Sequence, residues 1–185
     1  MEQVLHLYVT TACGHDCPLC CNKHYKLDEI PVVTVELLKT VETVCITGGD
    51  PFAVKTDTLI DFINKLRGQY KNIKNLYVYT SGNLFQKAIA DYIDFDGDLE
   101  CEINGINVAP KDIWDWIGFT KVLREHPSLF RKMQSSRLYV FKEQRAIFDS
   151  LGINIPSNIE VIDRQWTPTF ETPDNEHFAR LPILL

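Results

Sequence analysis

Short apolar, β-branched runs alternate along this chain with longer amphipathic runs. The short runs have the length and composition of buried strands. They predict six strands, at residues 4–11, 43–47, 75–80, 99–109 (interrupted by Gly105), 137–141 and 158–164. Because strand and helix patterns alternate, the sequence predicts an α/β fold built on parallel strands.

The longer runs predict the helices between these strands. In the run that follows the second strand, Leu59, Phe62, Ile63 and Leu66 recur at the spacing of one helix face. The 185 residues fall short of the ~250 that a closed eight-stranded barrel uses. We therefore expect a single domain over residues 1–185 with a partial (β/α)6 barrel, open on one side. Three prolines in residues 165–185 predict an irregular C-terminal tail.

The first four predicted strands each end at an unusual polar loop. The loops read CGHDCPLCC, GGDP, SGN and APKD in chain order. Gly, Pro and Asn commonly mark turns, which explains any one loop but not the cysteines. Ligands bind at the carboxyl ends of parallel strands, so the four loops predict one shared site at that edge of the sheet.

Composition limits the classes of function. The formal net charge of −6 argues against binding to a nucleic-acid backbone as the main activity. No apolar run approaches the ~20 residues of a membrane-spanning helix, and the N-terminus lacks the features of a signal peptide. We therefore expect a cytoplasmic protein without a membrane partner, in which the thiols stay reduced.

Four of the six cysteines fall within nine positions, 13–21. Cys13, Cys17 and Cys20 form a C-x3-C-x2-C pattern, which suits a disulfide poorly because the thiols are close in sequence. A zinc site needs a fourth ligand, which His15, His24 or Cys21 could supply, but no second C-x2-C occurs in the chain. An iron–sulfur cluster held by three thiolates would leave one iron open to an external ligand.

The CGHDCPLC loop after the first strand resembles the cluster-binding motif of the radical S-adenosylmethionine (SAM) superfamily. GGDP after the second strand resembles that superfamily's GGEP motif. The resemblance implies that Cys13, Cys17 and Cys20 each hold one iron of a [4Fe–4S] cluster, while SAM chelates the fourth iron. It also implies reductive cleavage of SAM to a 5′-deoxyadenosyl radical, with flavodoxin or ferredoxin as the reductant.

The same resemblance implies which residues contact SAM. The carbonyls of Gly48 and Gly49 would accept hydrogen bonds from its ammonium group, and Asp50 would add a negative charge. The superfamily more often has Glu at the position of Asp50. An ordinary proline-containing turn is the alternative reading of this segment.

Other expected SAM contacts lie on later strands. Thr80, Ser81 and Asn83 stand where the superfamily often places contacts to the SAM carboxylate or ribose, although a helix cap would use the same residues. Arg137 could pair with a carboxylate. An exposed arginine at a strand start is the alternative.

The sequence says less about the substrate than about the cofactors. INVAPKD resembles a segment of 7-carboxy-7-deazaguanine synthase, which implies that Lys111 faces a small-molecule substrate as a catalytic residue. CPLCCN, with Asn22, resembles the activases of glycyl-radical enzymes such as anaerobic ribonucleotide reductase. A zinc-binding interaction module is a third, non-enzymatic reading. Among these we favour a small-molecule substrate.

Overall fold

The computed structural model of the protein describes residues 2–17, 20, 26–93, 101–165 and 173–185. Within these residues seven strands form one sheet in the order β6-β5-β4-β3-β2-β1-β7, and each neighbouring pair is parallel. The sheet is open, with β6 and β7 at its edges. The strands are β1 (Val4–Thr10), β2 (Thr43–Gly48), β3 (Asn75–Thr80), β4 (Gly105–Val108), β5 (Ser136–Phe141), β6 (Ile159–Arg164) and β7 (Glu176–Arg180).

Helices connect the first six strands, which are neighbours in space in the same order as in sequence. Right-handed crossovers between such strands place every connecting helix on the same face of the sheet. The described helices are α1 (Val35–Thr40), α2 (Thr56–Gln69), α3 (Asn83–Tyr92), α4 (Ile113–Glu125), α5 (Pro127–Lys132) and α6 (Arg145–Leu151), with 3₁₀ turns at Leu27–Glu29, Pro51–Ala53 and Lys142–Gln144. None of the helices in the described residues is long and apolar enough to cross a membrane.

The hydrophobic core lies between this helical layer and one face of the sheet. Successive strand residues point to opposite faces, so alternate residues enter the core. On the helix side the core includes the completely buried Trp116 and Phe119 of α4 and Phe85 of α3. Burial of each such large side chain contributes about 1.5–3 kcal/mol. The strand residues in this core are Leu5, Leu7, Val9, Val44, Ile46, Leu76, Val78, Ile106, Val108, Leu138, Val140, Ile159 and Ala179.

The other face of the sheet is polar and aromatic. Tyr8, Cys45 and Tyr139 are buried there but lie outside the core that the helices cover. Cross-strand partners in a parallel register share a face. Glu160, Arg137, Asn107 and Tyr79 are partners across β6, β5, β4 and β3, and Thr47, Tyr8 and Arg180 are partners across β2, β1 and β7. The Ile46–Val78 pair places Thr47 next to Tyr79, so the two sets form one row. We call it the polar row, and it consists of Glu160, Arg137, Asn107, Tyr79, Thr47, Tyr8 and Arg180.

The structure confirms the α/β class and the open parallel sheet, and it corrects three details. There are seven strands in the described residues, not six. The C-terminal segment is not irregular throughout, because β7 pairs with β1 from Val4–Glu176 to Tyr8–Arg180 and so satisfies an otherwise free strand edge. The fourth strand is limited to β4, and Cys101 to Asn104 precede it without strand structure. Residues 99–100 and 166–172 lie outside the described residues.

Candidate active site

The GGDP segment lies against the start of the cysteine loop, which we define as residues 11–20. The backbone N–H of Gly49 donates to the Thr10 carbonyl over 2.6 Å, and that of Asp50 donates to the Ala12 carbonyl over 2.7 Å. Gly48 has φ +121°, and a Cβ added to Gly49 would lie 1.9 Å from the Ala12 oxygen. Both glycines are therefore required by the local backbone, because a side chain would push the cysteine loop away.

The Asp50 carboxylate joins the ends of β2 and β3. One oxygen accepts from the Phe52 backbone N–H over 3.1 Å. The other accepts from the Thr80 hydroxyl, the Ser81 N–H and the Ser81 hydroxyl, over 2.8, 3.0 and 3.2 Å. Burial raises the pKa of Asp50, and the bonds from Ser81, Thr80 and Phe52 oppose that shift. The side chains of three expected SAM contacts, Asp50, Thr80 and Ser81, therefore bind one another in this structure.

The three motif cysteines lie on one loop and influence one another electrostatically. The Cys20 backbone N–H donates to the Cys17 carbonyl over 3.2 Å. Desolvation is the main cause that raises the pKa of the Cys13 and Cys17 thiols, and the charge of Cys20 raises both further. Lys111 lowers the pKa of Cys17. No disulfide joins the cysteines that the structure describes.

The thiols of Cys13, Cys17 and Cys20 do not all lie within 4.8 Å of one another. Four sulfurs on one Zn²⁺ at about 2.3 Å would stand roughly 3.8 Å apart. The three thiols do not form such a group. Among the described residues, the metal-ligating atoms that all lie within 4.8 Å of one another belong to His15, Asp112 and Asp115. A [4Fe–4S] cluster binds each thiolate through a different iron, so it needs wider sulfur spacing, and the donor set of three cysteines fits it chemically.

Asp115 connects the cysteine loop to two other loops. This carboxylate is completely buried at the start of α4. It lies 2.9 Å from His15 Nε2, and it accepts from the backbone N–H groups of Lys111 and Asn83 over 2.9 and 3.2 Å. His15 Nδ1 also lies 3.7 Å from an Asp112 oxygen. The loops that follow β1, β3 and β4 thus meet at one buried acid.

Sequence reasoning did not identify Asp115. Asp115, Phe119 and Val122 share a helix face, and the latter two are buried in the core. An acid on such an apolar face is an indication of a specific partner, since buried carboxylates are nearly always paired. The partner itself, His15, is a hundred positions away in the sequence.

Lys111 lies beside the cysteine loop, as the sequence predicts for a residue at the shared edge. Its ammonium nitrogen is 3.7 Å from the centre of the Phe141 ring at the end of β5. The Gln144 side chain donates to the Lys111 carbonyl over 2.8 Å, and the Trp116 indole donates to Gln144 over 3.1 Å. These contacts fix the backbone that carries Lys111. Burial raises the pKa of the Cys17 thiol, and the positive charge of Lys111 opposes that shift.

Asn83 and Arg137, the two remaining residues that the sequence predicts as SAM contacts, lie in different parts of the structure. Asn83 begins α3 and is bound to Asp115 through its backbone, so it lies at the shared edge. Arg137 belongs to the polar row, where its Nε is 3.4 Å from Glu160 and its side chain hydrogen-bonds Tyr139. It therefore lies on the sheet face away from the helices, in register with Asn107 near the end of β4.

The structure brings together the four loops that the sequence places at one edge. Cys21, Asn22 and His24, which bear on the zinc and activase alternatives, lie outside the described residues. A scan of the chain against protein-family models found no match, and a search of curated proteins also found none.

Proposed function

We propose that this protein is a radical SAM enzyme that acts on a small-molecule substrate. The observation that carries the proposal is the position of the cysteine loop. It is bound through its backbone to the GGDP segment at the carboxyl edge of a parallel sheet, with three thiols in one electrostatic environment. Cys13, Cys17 and Cys20 would hold a [4Fe–4S] cluster there.

The strand order supports the finer fold that this function implies. Six strands follow one another in space as in sequence, and their helices lie on one face. Rolled into an arc, this arrangement is a partial (β/α)6 barrel, with β7 as an extra strand beside β1. The polar face would then be the interior of the arc, directly below the cysteine loop.

The bound cluster would supply one electron that cleaves SAM reductively, and the resulting 5′-deoxyadenosyl radical would abstract hydrogen from the substrate. The protein's own groups would bind SAM and the substrate and hold them in position. The carbonyls of Gly48 and Gly49 would accept from the SAM ammonium. Asp50 would act mainly through Thr80 and Ser81, by holding the β2 and β3 ends in place. Lys111 would present a cation beside Cys17 to an anionic or carbonyl group of the substrate.

The residues below the loop favour a small molecule over a protein substrate. Tyr8, Asn107 and Tyr139 are almost completely buried, which suits an enclosed polar binding surface. We propose that the reaction takes place in the cytoplasm with electrons from a flavodoxin or ferredoxin.

Anaerobic purification followed by incubation with SAM and dithionite tests the proposal. The expected results are a brown protein that contains iron and sulfide, and formation of 5′-deoxyadenosine. Alanine at Cys13, Cys17 or Cys20 should abolish both, while Cys101→Ala, at a cysteine in the hydrophobic core, should retain both. A colourless protein with stoichiometric zinc, or an intact cluster without SAM cleavage, would contradict the proposal.

A further inference from the structure

Three side chains that can carry an unpaired electron lie together on the polar face of the sheet. They are Cys45 of β2, Tyr79 of β3 and Tyr139 of β5. The Tyr79 and Tyr139 hydroxyls are 3.5 Å apart, and their rings stack with centroids 6.1 Å apart and planes 13° from parallel. The Tyr79 side chain also hydrogen-bonds the Cys45 thiol. Tyr79 therefore links the other two residues, and we call the three the Cys–Tyr–Tyr chain.

Tyr79 stands directly below the proposed cofactor site. It immediately precedes Thr80, whose hydroxyl donates to Asp50 of the GGDP segment over 2.8 Å. Tyr79 is partly exposed, whereas Cys45 and Tyr139 are each only 5% exposed. A radical formed at the cofactor site would therefore meet Tyr79 before it met either buried partner.

Asn107 indicates that the space beside Tyr79 is suited to a bound molecule. The residue is 2% exposed, and its register partner on β3 is Tyr79. Its amide lowers the pKa of Tyr79 by a hydrogen bond, so the NH2 donates to the phenol oxygen. Its Oδ1 has no hydrogen-bond partner among the described residues. A buried acceptor without a donor is destabilising, and a polar molecule bound next to Tyr79 would remove that cost.

The buried thiol of the chain keeps its hydrogen at neutral pH. Burial is the main cause that raises the pKa of Cys45 to about 12, and burial also raises the pKa of Tyr79. The thiolate is the form of cysteine that acts as a nucleophile or metal ligand, so Cys45 is suited to neither role. An intact S–H or phenolic O–H bond is weaker than most C–H bonds, and it readily gives up its hydrogen atom to a carbon radical.

The other end of the chain leads toward solvent at the β5 and β6 edge. Tyr139 hydrogen-bonds Arg137, whose side chain is half exposed. The guanidinium carbon of Arg164, another exposed residue, lies 4.8 Å from the centre of the Tyr139 ring. The chain thus extends from the interior of the sheet face to side chains that solvent reaches, so an external electron donor can restore a hydrogen that the chain has lost.

We infer that Tyr79 is a catalytic residue that gives a hydrogen atom to the product radical, with Cys45 and Tyr139 sharing the radical left on it. The origin of the product radical rests on the proposed function. The product C–H bond forms as the Tyr79 O–H bond breaks, and the unpaired electron moves to the phenol oxygen. Cys45 or Tyr139 then passes its own hydrogen atom to Tyr79. One electron from the flavodoxin or ferredoxin and one proton from water restore the chain.

This role makes SAM a cosubstrate that is consumed in each turnover. The hydrogen that the 5′-deoxyadenosyl radical takes from the substrate stays in 5′-deoxyadenosine, because the product receives a different hydrogen from Tyr79. Each turnover then takes two electrons from the carrier, one to cleave SAM and one to restore the chain. The hydrogen that enters the product is one that exchanges with solvent beforehand.

The hydrogen that Tyr79 gives up can be traced with SAM alone. In D2O the O–H and S–H groups of the chain carry deuterium. Cluster-loaded protein is incubated with SAM and titanium(III) citrate in thiol-free D2O buffer without a substrate, so that the 5′-deoxyadenosyl radical takes deuterium from Tyr79. Mass spectrometry should find one deuterium in most of the 5′-deoxyadenosine from the wild type, and at least fivefold less in that from Tyr79→Phe.

Tyr77→Phe is the matched control for Tyr79→Phe. Tyr77 lies on the same strand and the same face, two residues farther from the GGDP segment, and its hydroxyl is 3.1 Å from that of Ser135. The variant loses a phenol that is outside the Cys–Tyr–Tyr chain. The deuterium content of its 5′-deoxyadenosine should equal that of the wild type.

A second measurement needs neither the cluster nor SAM. Flash photolysis of the Cys13→Ala/Cys17→Ala/Cys20→Ala variant with tris(bipyridine)ruthenium(II) and persulfate oxidises tyrosine by one electron, and EPR of frozen samples records the long-lived tyrosyl radical. In this background, Tyr79→Phe and Tyr139→Phe should each lower the radical yield at least twofold, and Tyr77→Phe should not change it. Cys45→Ser should raise the yield at least twofold, because a serine hydroxyl keeps the contact to Tyr79 but does not give up its hydrogen atom.

Equal deuterium content in wild type and Tyr79→Phe would overturn the inference, and so would a radical yield that neither Tyr79→Phe nor Cys45→Ser changes. Phenylalanine keeps the ring that stacks on Tyr139, and if Tyr79→Phe still fails to fold, Cys45→Ser provides the test. Absence of 5′-deoxyadenosine would count against the proposed reaction only, and the photolysis then decides the role of the chain. 5′-Deoxyadenosine without deuterium from the wild type would count against this inference only.

Discussion

Two buried aspartates, Asp50 and Asp115, organise the carboxyl edge of the sheet in different ways. Within the described residues, the Asp50 carboxylate accepts hydrogen bonds from backbone N–H and hydroxyl groups at the ends of β2 and β3. Asp115 receives backbone N–H groups but also binds the His15 side chain of the cysteine loop. Asp50 therefore stabilises the frame beneath the site, whereas Asp115 holds the loop that carries the thiols.

This difference between Asp50 and Asp115 changes the roles that we assign to the GGDP segment and to the cysteine loop. GGDP contains the acid that the resemblance implies as a SAM contact, yet that acid is surrounded by donors from the protein itself. Asp115, whose side chain contacts the cysteine loop, belongs to α4 and to neither motif. A mutation that affects the frame should reduce stability, while one that affects the loop should change the thiols.

Among the variants considered, Gly49→Ala should cause the largest loss of stability in the frame beneath the site. The new Cβ would lie 1.9 Å from the Ala12 carbonyl oxygen, and backbone atoms there cannot move without displacing the cysteine loop. We expect the free energy of unfolding to fall by about 3 kcal/mol or more, measured by urea denaturation.

Gly68→Ala is the matched control for that substitution. A Cβ at Gly68, in the last turn of α2, would meet nothing within 4 Å. Alanine is the better helix former, so this variant should be as stable as the wild type or more stable by up to about 1 kcal/mol. Equal losses of stability in the two variants would show that the close contact at Gly49 is not the cause.

Two variants, Asp50→Asn and Asp115→Asn, test whether the two buried aspartates have these different roles. An amide at either site turns an NH2 group toward an N–H or O–H donor, so each variant should lose about 1–3 kcal/mol of stability. The reactivity of Cys13 and Cys17 with a disulfide reagent, in metal-free protein under native conditions, should increase more in Asp115→Asn. The reason is that, of these two acids, Asp115 binds the cysteine loop through its side chain, whereas Asp50 binds it through its backbone N–H.

His15→Gln separates the two roles of Asp115. It removes the contact to the loop and leaves the backbone bonds from Lys111 and Asn83 in place. Thiol reactivity should rise with a stability loss of about 1–3 kcal/mol, because the completely buried Asp115 carboxylate loses a partner. The 3.7 Å contact of His15 to Asp112 is lost as well. Unchanged reactivity in His15→Gln, or the larger increase in Asp50→Asn, would refute the division of roles.

Much of this frame was accessible from the sequence, because it depends on local pattern. The third strand has the predicted bounds, and the four loops meet at one edge as the parallel arrangement requires. The pattern NLYVYT also separates the faces, since Leu76 and Val78 enter the core while Tyr77 and Tyr79 do not.

Other features depend on contacts between distant residues. β7 reads EHFAR between two prolines, and only its pairing with β1, some 170 positions earlier, makes it a strand. The link from Asp115 to His15 likewise follows from tertiary structure alone, as does the Asn107 oxygen that has no hydrogen-bond partner among the described residues. Local propensity cannot reveal such partners, because the strand and the acid each acquire them only in the folded chain.

The smallest expected effect concerns a second His–carboxylate pair, which lies away from the cysteine loop. His6 Nε2 is 2.8 Å from Glu176, and its ring stacks on Phe178 with centroids 4.5 Å apart. Burial lowers the pKa of His6 below 6.5, and Glu176 opposes that shift. As the pH falls below 6.5, the unfolded chain takes up a proton that the folded protein resists, so His6 reduces stability until its folded pKa is passed.

His6→Phe should remove this pH dependence and keep the ring against Phe178. Unfolding free energies of wild type and variant, measured between pH 7 and 5, should diverge in favour of the variant by at most about 1.4 kcal/mol per pH unit. Glu176→Gln should enlarge the loss, since it removes the charge that favours protonation. Thiol reactivity should stay constant in both variants, in contrast to His15→Gln. A wild type that gains stability relative to His6→Phe at low pH would mean that Glu176, and not burial, dominates at His6.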